Sequence, residues 1–249
     1  MLAAAKRSPP TLNGKTIKGE IELPDPFHIR EWTYQDILCF PGKLKEEWRQ
    51  CCLNELSMLK ERKVFDLVSL PEGKKAIRNR WVFDIKPDGQ KCACLVAKGF
   101  SQIEGIDYEE LFSPVVRYES VRIIFALTAL EHWHLEAVDV KTAFLYGKLD
   151  EEIYMQQPEG FVQKGHEKLV LQLNRAIYRL KQAALAWWKE LEASMKRLGF
   201  TRLHSDASIF HHKQFNVVII AYVDDCVFAG KNKSNVLKLK IQFMKIWEC

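Results

Sequence analysis

The sequence has no run of apolar residues long enough to span a bilayer. Its longest runs, such as VVIIAYV at 217–223, are far shorter than the roughly 20 residues that a membrane-spanning helix needs. The opening MLAAAKRSPPT also lacks the apolar stretch of a secretory signal. The sequence therefore predicts a protein without a membrane partner.

Metal-type cysteine spacing is missing too. The chain has seven cysteines, an odd number, and no CxxC pair. Cys51 and Cys52 are adjacent, and Cys92 and Cys94 are separated by one residue. This spacing does not predict a zinc site, and it favours reduced thiols of a cytosolic protein.

A strong overall charge is absent, but the positive charge is unevenly distributed. The net charge is +5 over 249 residues. Between Lys74 and Gly99 lie seven Lys or Arg residues and two Asp residues, an excess equal to that of the whole chain. Clustered cations indicate a polyanionic partner. A solvated basic face explains the charge equally well.

Residues 1–43 are rich in Pro, Gly and polar residues without a sustained period, so we expect a linker or disordered N-terminal tail. From Leu44 onward, apolar residues recur at steps of three and four, which predicts a helix. A strand is predicted at 64–70. Two extended segments, 76–86 and 90–100, then flank the turn triplet PDG, which predicts a basic β-hairpin.

Periodicity, composition and capping residues predict further elements in the rest of the chain. Helices are predicted at 119–133, at 184–198 with an apolar stripe through Trp188 and a cap at Gly199, and at 234–249 with a Ser N-cap. Strands are predicted at 134–139 and on both sides of Asp224 and Asp225. The segment 169–180 is ambiguous between strand and helix.

Asp224 and Asp225 interrupt the apolar run IIAYVDDCVFAG at 219–230. Adjacent carboxylates raise each other's pKa and are costly to bury unless they are paired. A surface turn, neutralisation by Lys or Arg, and a divalent metal each accommodate them. Strand lengths predict a turn at 223–226.

Asp139 also follows an apolar strand. If strands 134–139 and 217–223 are neighbours in one sheet, three carboxylates converge at one edge. Such a cluster suits two Mg²⁺ ions about 3.5–4 Å apart, the electrostatic clamp that phosphoryl transfer needs. The spacing alone leaves polymerase, nuclease and other phosphoryl transferases open.

Five segments resemble, in order, the reverse transcriptase of copia-type LTR retrotransposons. They are WVFDIK…LVAKGF, DYEELFSPVVRYESVR, AVDVKTAFLYGKLDEEIYMQQPEGF, AIYRLKQAALAWW and AYVDD. The resemblance runs from about residue 46 to the end. It implies an α+β right-hand fold over 44–249 with fingers and partial palm, the palm an antiparallel sheet backed by helices. The primer grip, thumb and RNase H follow later in the family and are expected to be absent.

The resemblance also implies site residues. Asp139, Asp224 and Asp225 would be catalytic and would bind two Mg²⁺ ions, with Mn²⁺ as an alternative. Val140 would lend a backbone carbonyl, and Phe144 would lie against the sugar 2′ position. Without the resemblance, Phe144 is read as an ordinary core aromatic.

Four more residues are implied around the substrate. Gln182 would hold the incoming nucleotide and template, Lys91 and Lys98 would contact phosphates, and Tyr222 would pack beside the primer end. Without the resemblance, Gln182 is read as a solvated side chain and Tyr222 as a strand aromatic.

The implied function is RNA-directed DNA polymerisation, with nucleotidyl transfer from a dNTP to a primer 3′-hydroxyl. The implied partners are an RNA template, a DNA or RNA primer, and the remaining Pol segments of a parent polyprotein: thumb, RNase H and integrase. The expected location is the cytoplasm, in the virus-like particle of the parent element, or the nucleus.

The chain departs from the family pattern at basic and glycine positions. Cys92 and Cys94 replace a Lys and an Arg, and cysteine cannot supply the donor fork of Arg. Arg179 replaces a Gly, where the backbone needs a tight turn or close approach. These departures leave a second hypothesis, a non-catalytic nucleic-acid-binding remnant of a degenerate element.

Overall fold

The computed structural model describes Thr11–Leu12, Lys15–Thr16, Ile29 and residues 31–249. The chain divides into two compact units. One comprises Met1–Lys98 and Tyr154–Gln172, and the other Gly99–Ile153 and Leu173–Cys249. No helix within the described ranges is both long and apolar enough to cross a membrane.

The N-terminal part differs from the expected tail. Strands β1 (Thr11–Leu12) and β2 (Lys15–Thr16) pair antiparallel. Helix α1 (Tyr34–Leu38) begins at a capping box formed by Thr33 and Asp36, and its Tyr34 and Ile37 are buried. Residues 31–43 are therefore ordered and packed, since a capping box can start a helix too short to show periodicity. The other residues of the predicted tail lie outside the described residues.

The remaining elements follow in chain order. They are α2 (Gly42–Glu61), β3 (Phe65–Ser69), β4 (Ala76–Ile77), β5 (Asn79–Ile85), β6 (Lys91–Ala97), α3 (Tyr118–Leu130), β7 (His134–Asp139), β8 (Lys148–Met155), β9 (Leu169–Arg175), α4 (Ala183–Arg197), β10 (Thr201–Arg202), β11 (Ile209–His212), β12 (Val217–Tyr222), β13 (Asp225–Gly230) and α5 (Lys233–Met244). Short 3-10 helices lie at Gly99–Ser101 and Ala143–Tyr146. A four-stranded sheet has the order β3-β9-β8-β4.

In the first unit, β5 and β6 form the predicted hairpin. The Lys86 N–H donates to the Gln90 carbonyl at 2.9 Å, which closes the turn around PDG. The outer edge of β6 faces α2, because Glu55 accepts the N–H of Leu95 at 3.1 Å. Covering an edge strand in this way satisfies polar groups that would otherwise be left unpaired.

In the second unit, a five-stranded antiparallel sheet has the order β10-β11-β12-β13-β7. Helices α4 and α5 pack on one face of this sheet, and α3 packs on the other. The core with α4 and α5 includes Ile219, Phe228, Trp187, Leu191, Met195, Leu239 and Phe243. The core with α3 includes Val116, Ile124, Ile220 and Ala229. The mixed α and β composition predicted from sequence is confirmed.

Several local expectations are changed by the structure. The ambiguous segment 169–180 forms strand β9 and then leaves regular structure. Asn232, rather than the predicted Ser, caps α5 by accepting the N–H of Asn235 at 3.1 Å. Gly199 ends α4 as predicted, with a φ of 86°. The β8 strand was not predicted, because its sequence KLDEEIYM carries too many charges to show a clear apolar alternation.

Candidate active site

Asp139 and Asp225 are register partners where β7 ends and β13 begins, and Asp224 lies in the turn that joins β12 to β13. Strand β13 lies between the other two, and Asp225 is the register partner of both Tyr222 and Asp139. Directly opposed side chains in an antiparallel pair lie on the same face, with Cβ atoms about 4.5–5.5 Å apart. Asp224 immediately precedes Asp225. The strand beside β7 is thus β13, so the condition that strands 134–139 and 217–223 are direct neighbours is not met, although both lie in one sheet.

The turn that carries Asp224 is tighter than predicted, because only Val223 and Asp224 separate β12 from β13. Val223 has a φ of 57°, a left-handed conformation that is rare for a β-branched residue. Its carbonyl accepts the indole N–H of Trp187 at 2.7 Å. The Asp224 carbonyl accepts the N–H of Val140 at 2.9 Å. Both carbonyls of the turn are therefore fixed by neighbouring segments.

The electrostatics of the cluster disfavour ionisation of Asp225. Burial raises the pKa of Asp225, and the charges of Asp224 and Asp139 raise it further. Hard oxygen donors of this kind are suited to Mg²⁺. In the described part of the chain, however, no three His, Cys, Asp or Glu side chains are already arranged to hold a metal ion.

Val140 and Phe144 follow Asp139 in the same unit. Val140 is buried, and its N–H is used by the turn. Phe144 lies in the 3-10 helix Ala143–Tyr146 and is half-buried. Its ring packs edge-on against Tyr178, with centroids 5.5 Å apart. Phe144 is thus held in place by packing while part of its surface remains accessible.

Gln182 is not the solvated side chain read from the sequence alone. It is 3% exposed, and it accepts a hydrogen bond from the Gln102 amide at 3.0 Å. Its own amide donates to the Asp107 carbonyl at 2.9 Å and lies 3.4 Å from a Glu151 carboxylate oxygen. These contacts tie the loop after residue 99 to the start of α4. They also occupy the groups that a nucleotide contact would need.

The two predicted phosphate-binding lysines belong to the first unit. Lys91 forms an ion pair of 2.5 Å with Glu47 of α2, and its ammonium lies 5.9 Å from the Trp48 ring centroid. It is therefore already neutralised. Lys98 is half-buried, and its N–H donates to the Arg78 carbonyl at 2.8 Å.

Tyr222 is 55% exposed and lies beside Asp225 on the same face of the sheet. A cavity of about 490 Å³ opens there, lined mainly by apolar side chains of β12, β13, α3 and the segment leading into α3. Its lining includes Val115, Tyr118, Tyr222, Asp225 and Val227. The acid cluster is thus bordered by an apolar wall.

The departures from the family pattern have structural counterparts. Arg179 has a φ of 67°, in the left-handed region that favours glycine. Cys94 lies in β6, where burial raises the pKa of its thiol to about 12. Burial also raises the pKa of the Cys92 thiol. Neither thiol carries the positive charge expected at these positions.

Trp187 was missed by the sequence analysis, which placed Trp188 in the apolar stripe of α4. In the structure Trp187 is 2% exposed and part of the core, whereas Trp188 is half-buried. The four-residue steps from Trp187 to Leu191 and Met195 would have identified this face.

Comparison with known proteins places these features in a family. Residues 62–248 match the family described as reverse transcriptase (RNA-dependent DNA polymerase). The chain belongs to the reverse transcriptase family. It is a reverse transcriptase domain of the kind found in retrotransposon Pol polyproteins of copia type.

Two plant relatives and one yeast relative illustrate the range of similarity. The reverse transcriptase domain is 38% identical over 224 residues to the retrovirus-related Pol polyprotein from transposon TNT 1-94 of Nicotiana tabacum, covering 86% of this chain and 17% of that protein. It is 38% identical over 195 residues to the transposon RE2 polyprotein of Arabidopsis thaliana, covering 75% and 13%. It is 26% identical over 211 residues to the transposon Ty1-BL Gag-Pol polyprotein of Saccharomyces cerevisiae, covering 81% and 12%. The domain thus spans less than a fifth of each of these relatives.

Proposed function

We propose that the chain is the nucleotidyl-transferring part of an RNA-directed DNA polymerase. It extends the 3′-hydroxyl of a DNA or RNA primer with deoxynucleotides on an RNA template. The second unit corresponds to the palm, and the β5–β6 hairpin of the first unit corresponds to the fingers. The observation that carries the proposal is the cross-strand register of Asp139 with Asp225, with Asp224 in the adjoining turn.

Asp139, Asp224 and Asp225 fit a pair of Mg²⁺ ions, with Mn²⁺ as an alternative. When bound, such ions lower the pKa of an attacking hydroxyl and stabilise the leaving phosphate oxygens. The fit rests on three adjoining carboxylates and on the raised pKa of Asp225, for which all the causes oppose ionisation. A bound cation offsets the repulsion between the carboxylates and stabilises the ionised form of Asp225. The acids are therefore suited to the metal ion that the reaction requires.

The residues around the acids have roles in holding the substrates. Tyr222 and the apolar wall beside Asp225 receive the primer end. Phe144 lies against the sugar of the incoming nucleotide and excludes a 2′-hydroxyl, and the Val140 carbonyl assists metal binding. Gln182 can contact the nucleotide or template only after it releases Gln102 and Asp107. Lys91 and Lys98, on and beside the basic hairpin of the first unit, are the proposed phosphate contacts.

The wider setting follows from the Pol polyprotein relatives. The partners proposed for this chain are the RNA template, the primer, the dNTP and the remaining polyprotein segments, which are thumb, RNase H and integrase. The proposed location is the cytoplasm, within a virus-like particle, or the nucleus.

Primer extension tests the proposal directly. The chain is incubated with a primed RNA template, dNTPs and Mg²⁺, and the products are separated by length. We expect Mg²⁺-dependent extension that Asp224→Asn abolishes. As a matched control, Asp150→Asn changes an exposed acid that pairs with Lys189 at 3.1 Å and should leave extension unchanged. Extension that persists equally in the Asp224 variant would refute the assignment of the acids.

Thermal melting tests the metal site independently of turnover. Asp225→Asn should raise the melting temperature in EDTA, because it removes the repulsion from Asp224 and Asp139. Mg²⁺ should raise the melting temperature of the wild type, and it should not raise that of the variant. An equal Mg²⁺ response in both proteins would contradict a site at these residues.

A second function, nucleic-acid binding without catalysis, is favoured by three observations. Arg179 occupies a glycine conformation, Cys92 and Cys94 supply no charge, and Lys91 is neutralised by Glu47. These features weaken the contacts that would align a triphosphate. Binding to a hybrid duplex with a strong salt dependence, together with no extension at any Mg²⁺ concentration, would support this alternative over the polymerase.

A further inference from the structure

The turn between β12 and β13 holds a strained residue next to the acid pair. Val223 has a φ of 57°, and a residue with a Cβ in this region is unfavourable unless its surroundings enforce it. The conformation of Val223 decides where the next two residues, Asp224 and Asp225, are directed. Whatever holds Val223 therefore also sets the geometry of the acids.

The group that holds Val223 is the indole of Trp187. Its Nε1–H donates to the Val223 carbonyl at 2.7 Å, a short and well-formed hydrogen bond. The ring is 2% exposed and packs against Trp247 and Tyr146, with centroids 5.0 and 6.1 Å away. Because these rings surround the indole, it cannot turn away from the carbonyl without disturbing the core.

The helix that bears Trp187 is itself fixed close to the site. A Cβ added to Gly147 would lie 2.7 Å from the backbone nitrogen of Trp187. The helix backbone thus approaches the end of the 3-10 helix that follows Asp139 as closely as a glycine allows. The segment after Asp139 and the turn at Val223 both approach α4 at Trp187. Trp187 therefore links the two sides of the site.

We propose that Trp187 is a positioning residue that imposes the left-handed conformation on Val223 and thereby orients Asp224 and Asp225. Its consequence for metal binding rests on the proposed function, whereas its effect on the turn does not. Removing the indole N–H leaves the Val223 carbonyl without its donor in a partly buried setting, which costs more than the bond itself contributes. The turn then relaxes toward conformations that valine prefers.

The neighbouring tryptophan provides a matched control. Trp188 is the next residue on α4, and its Nε1–H has no hydrogen-bond partner within the described residues. Trp187→Phe and Trp188→Phe delete the same atoms from adjacent positions. Only Trp187→Phe loses a hydrogen bond to the turn, and Trp187 is also the more buried of the two residues.

Hydrogen exchange measures the turn directly. Peptides covering 217–230 are followed by mass spectrometry in the intact chain. Trp187→Phe should accelerate exchange at 223–226 by about tenfold, whereas Trp188→Phe should not. Unchanged exchange at these residues in Trp187→Phe would overturn the proposal, as would equal acceleration in both variants.

A titration with Mn²⁺ followed by electron paramagnetic resonance links the turn to the acids. Mn²⁺ affinity should fall about tenfold in Trp187→Phe and stay unchanged in Trp188→Phe. If the wild type binds no Mn²⁺ but the turn still loosens in Trp187→Phe, the proposed metal site fails and the positioning role stands. If the turn loosens while Mn²⁺ affinity is unchanged, orientation of the acids by Trp187 is refuted.

A rescue variant keeps the test decisive if Trp187→Phe does not fold. Glycine adopts the conformation of Val223 without strain, so Val223→Gly should remove the need for the indole. The double variant Trp187→Phe/Val223→Gly should recover folding and the slow exchange of the turn. A double variant no better than Trp187→Phe alone would overturn the proposal.

Discussion

At the scale of single residues, Arg179 has a backbone conformation that is unfavourable for a residue with a Cβ. Its φ of 67° costs a residue other than glycine roughly 1–2 kcal/mol. A Cβ on Gly99 would clash with the Arg179 carbonyl, so the backbone around Arg179 makes the kind of close approach that glycine permits. The glycine of the family pattern is thus explained by this conformation, and the arginine adds strain there.

Replacing Arg179 tests this account. Arg179→Gly should raise the free energy of unfolding by about 1 kcal/mol, after allowing for the entropy that glycine adds to the unfolded chain. Urea denaturation measures the change. Arg179→Ala is the control, because it removes the charged side chain but keeps the Cβ. An equal gain in both variants would show that the side chain, and not the backbone, is the source of the strain.

At the scale of elements, Glu55 shows how α2 is joined to the edge of β6. Its carboxylate accepts the Leu95 N–H, and burial raises its pKa to about 7 from 4.5. Because the folded pKa is the higher one, the contribution of Glu55 to stability is fully present below 4.5 and is lost as the pH rises through about 7. The folded state should therefore lose stability at alkaline pH, because the ionised Glu55 is buried.

Glu55→Gln should remove this pH dependence, because glutamine accepts the same hydrogen bond without ionising. We expect the variant to be more stable than the wild type at about pH 8, by at most roughly 3 kcal/mol, and the two proteins to converge at about pH 5. Urea denaturation across this range provides the measurement. Glu47→Gln is a control for which the opposite pH dependence of stability is expected, because the ion pair with Lys91 lowers the pKa of Glu47. The interpretation fails if the wild type is as stable at pH 8 as at pH 5.

Gly147 sets the separation between α4 and the segment after Asp139. Because an added Cβ would lie 2.7–2.8 Å from the backbone and Cβ atoms at Ala186 and Trp187, Gly147→Ala should lower the free energy of unfolding by about 1–3 kcal/mol. Gly42→Ala is the matched control, because nothing lies within 4 Å of its added Cβ and alanine favours the helix. Gly42→Ala should be neutral or stabilising by urea denaturation. Equal effects would show that close approach at Gly147 is unimportant.

At the scale of the whole molecule, nucleic-acid binding should depend on a local basic surface rather than on net charge. The net charge is only +5, but the β5–β6 hairpin and its approach carry an equal excess. Arg78 and Lys86 are exposed there, whereas Lys91 is paired with Glu47. The exposed cations are therefore the ones expected to contact phosphates.

Neutralising two of these cations tests the location of the interface. Arg78→Ser/Lys86→Ser should reduce the slope of log affinity against log salt by about 2 for a hybrid duplex, one for each lost phosphate contact. Fluorescence anisotropy at several salt concentrations gives the slope. Lys231→Ser, at a residue paired with Glu131 at 4.0 Å, should leave it unchanged. If Lys231→Ser reduced the salt slope as much as Arg78→Ser/Lys86→Ser does, the chain would bind nucleic acid without a preferred surface.

The sequence by itself determined the features that depend on local chemistry. The PDG triplet specified the hairpin, apolar periodicity specified α2 and α4, and length and composition specified α3. The positions of the three aspartates after apolar strands indicated where a site could form. Such signals are local, because turn geometry and helix or strand period are properties of a few neighbouring residues. The match to a reverse transcriptase rests on the same kind of information.

Only the tertiary structure decided which residues meet. It placed β13, and not β12, next to β7, it buried Gln182 among internal partners, and it neutralised Lys91 with Glu47. It also selected Trp187 over Trp188 as the residue that holds the turn. These outcomes depend on strand order, register and helix rotation, which are set by contacts between residues far apart in the chain. A shift of one residue in the register of a strand, or in the rotation of a helix, exchanges its buried face for its exposed one. The apolar period in the sequence is the same before and after such a shift, so it cannot distinguish the two arrangements.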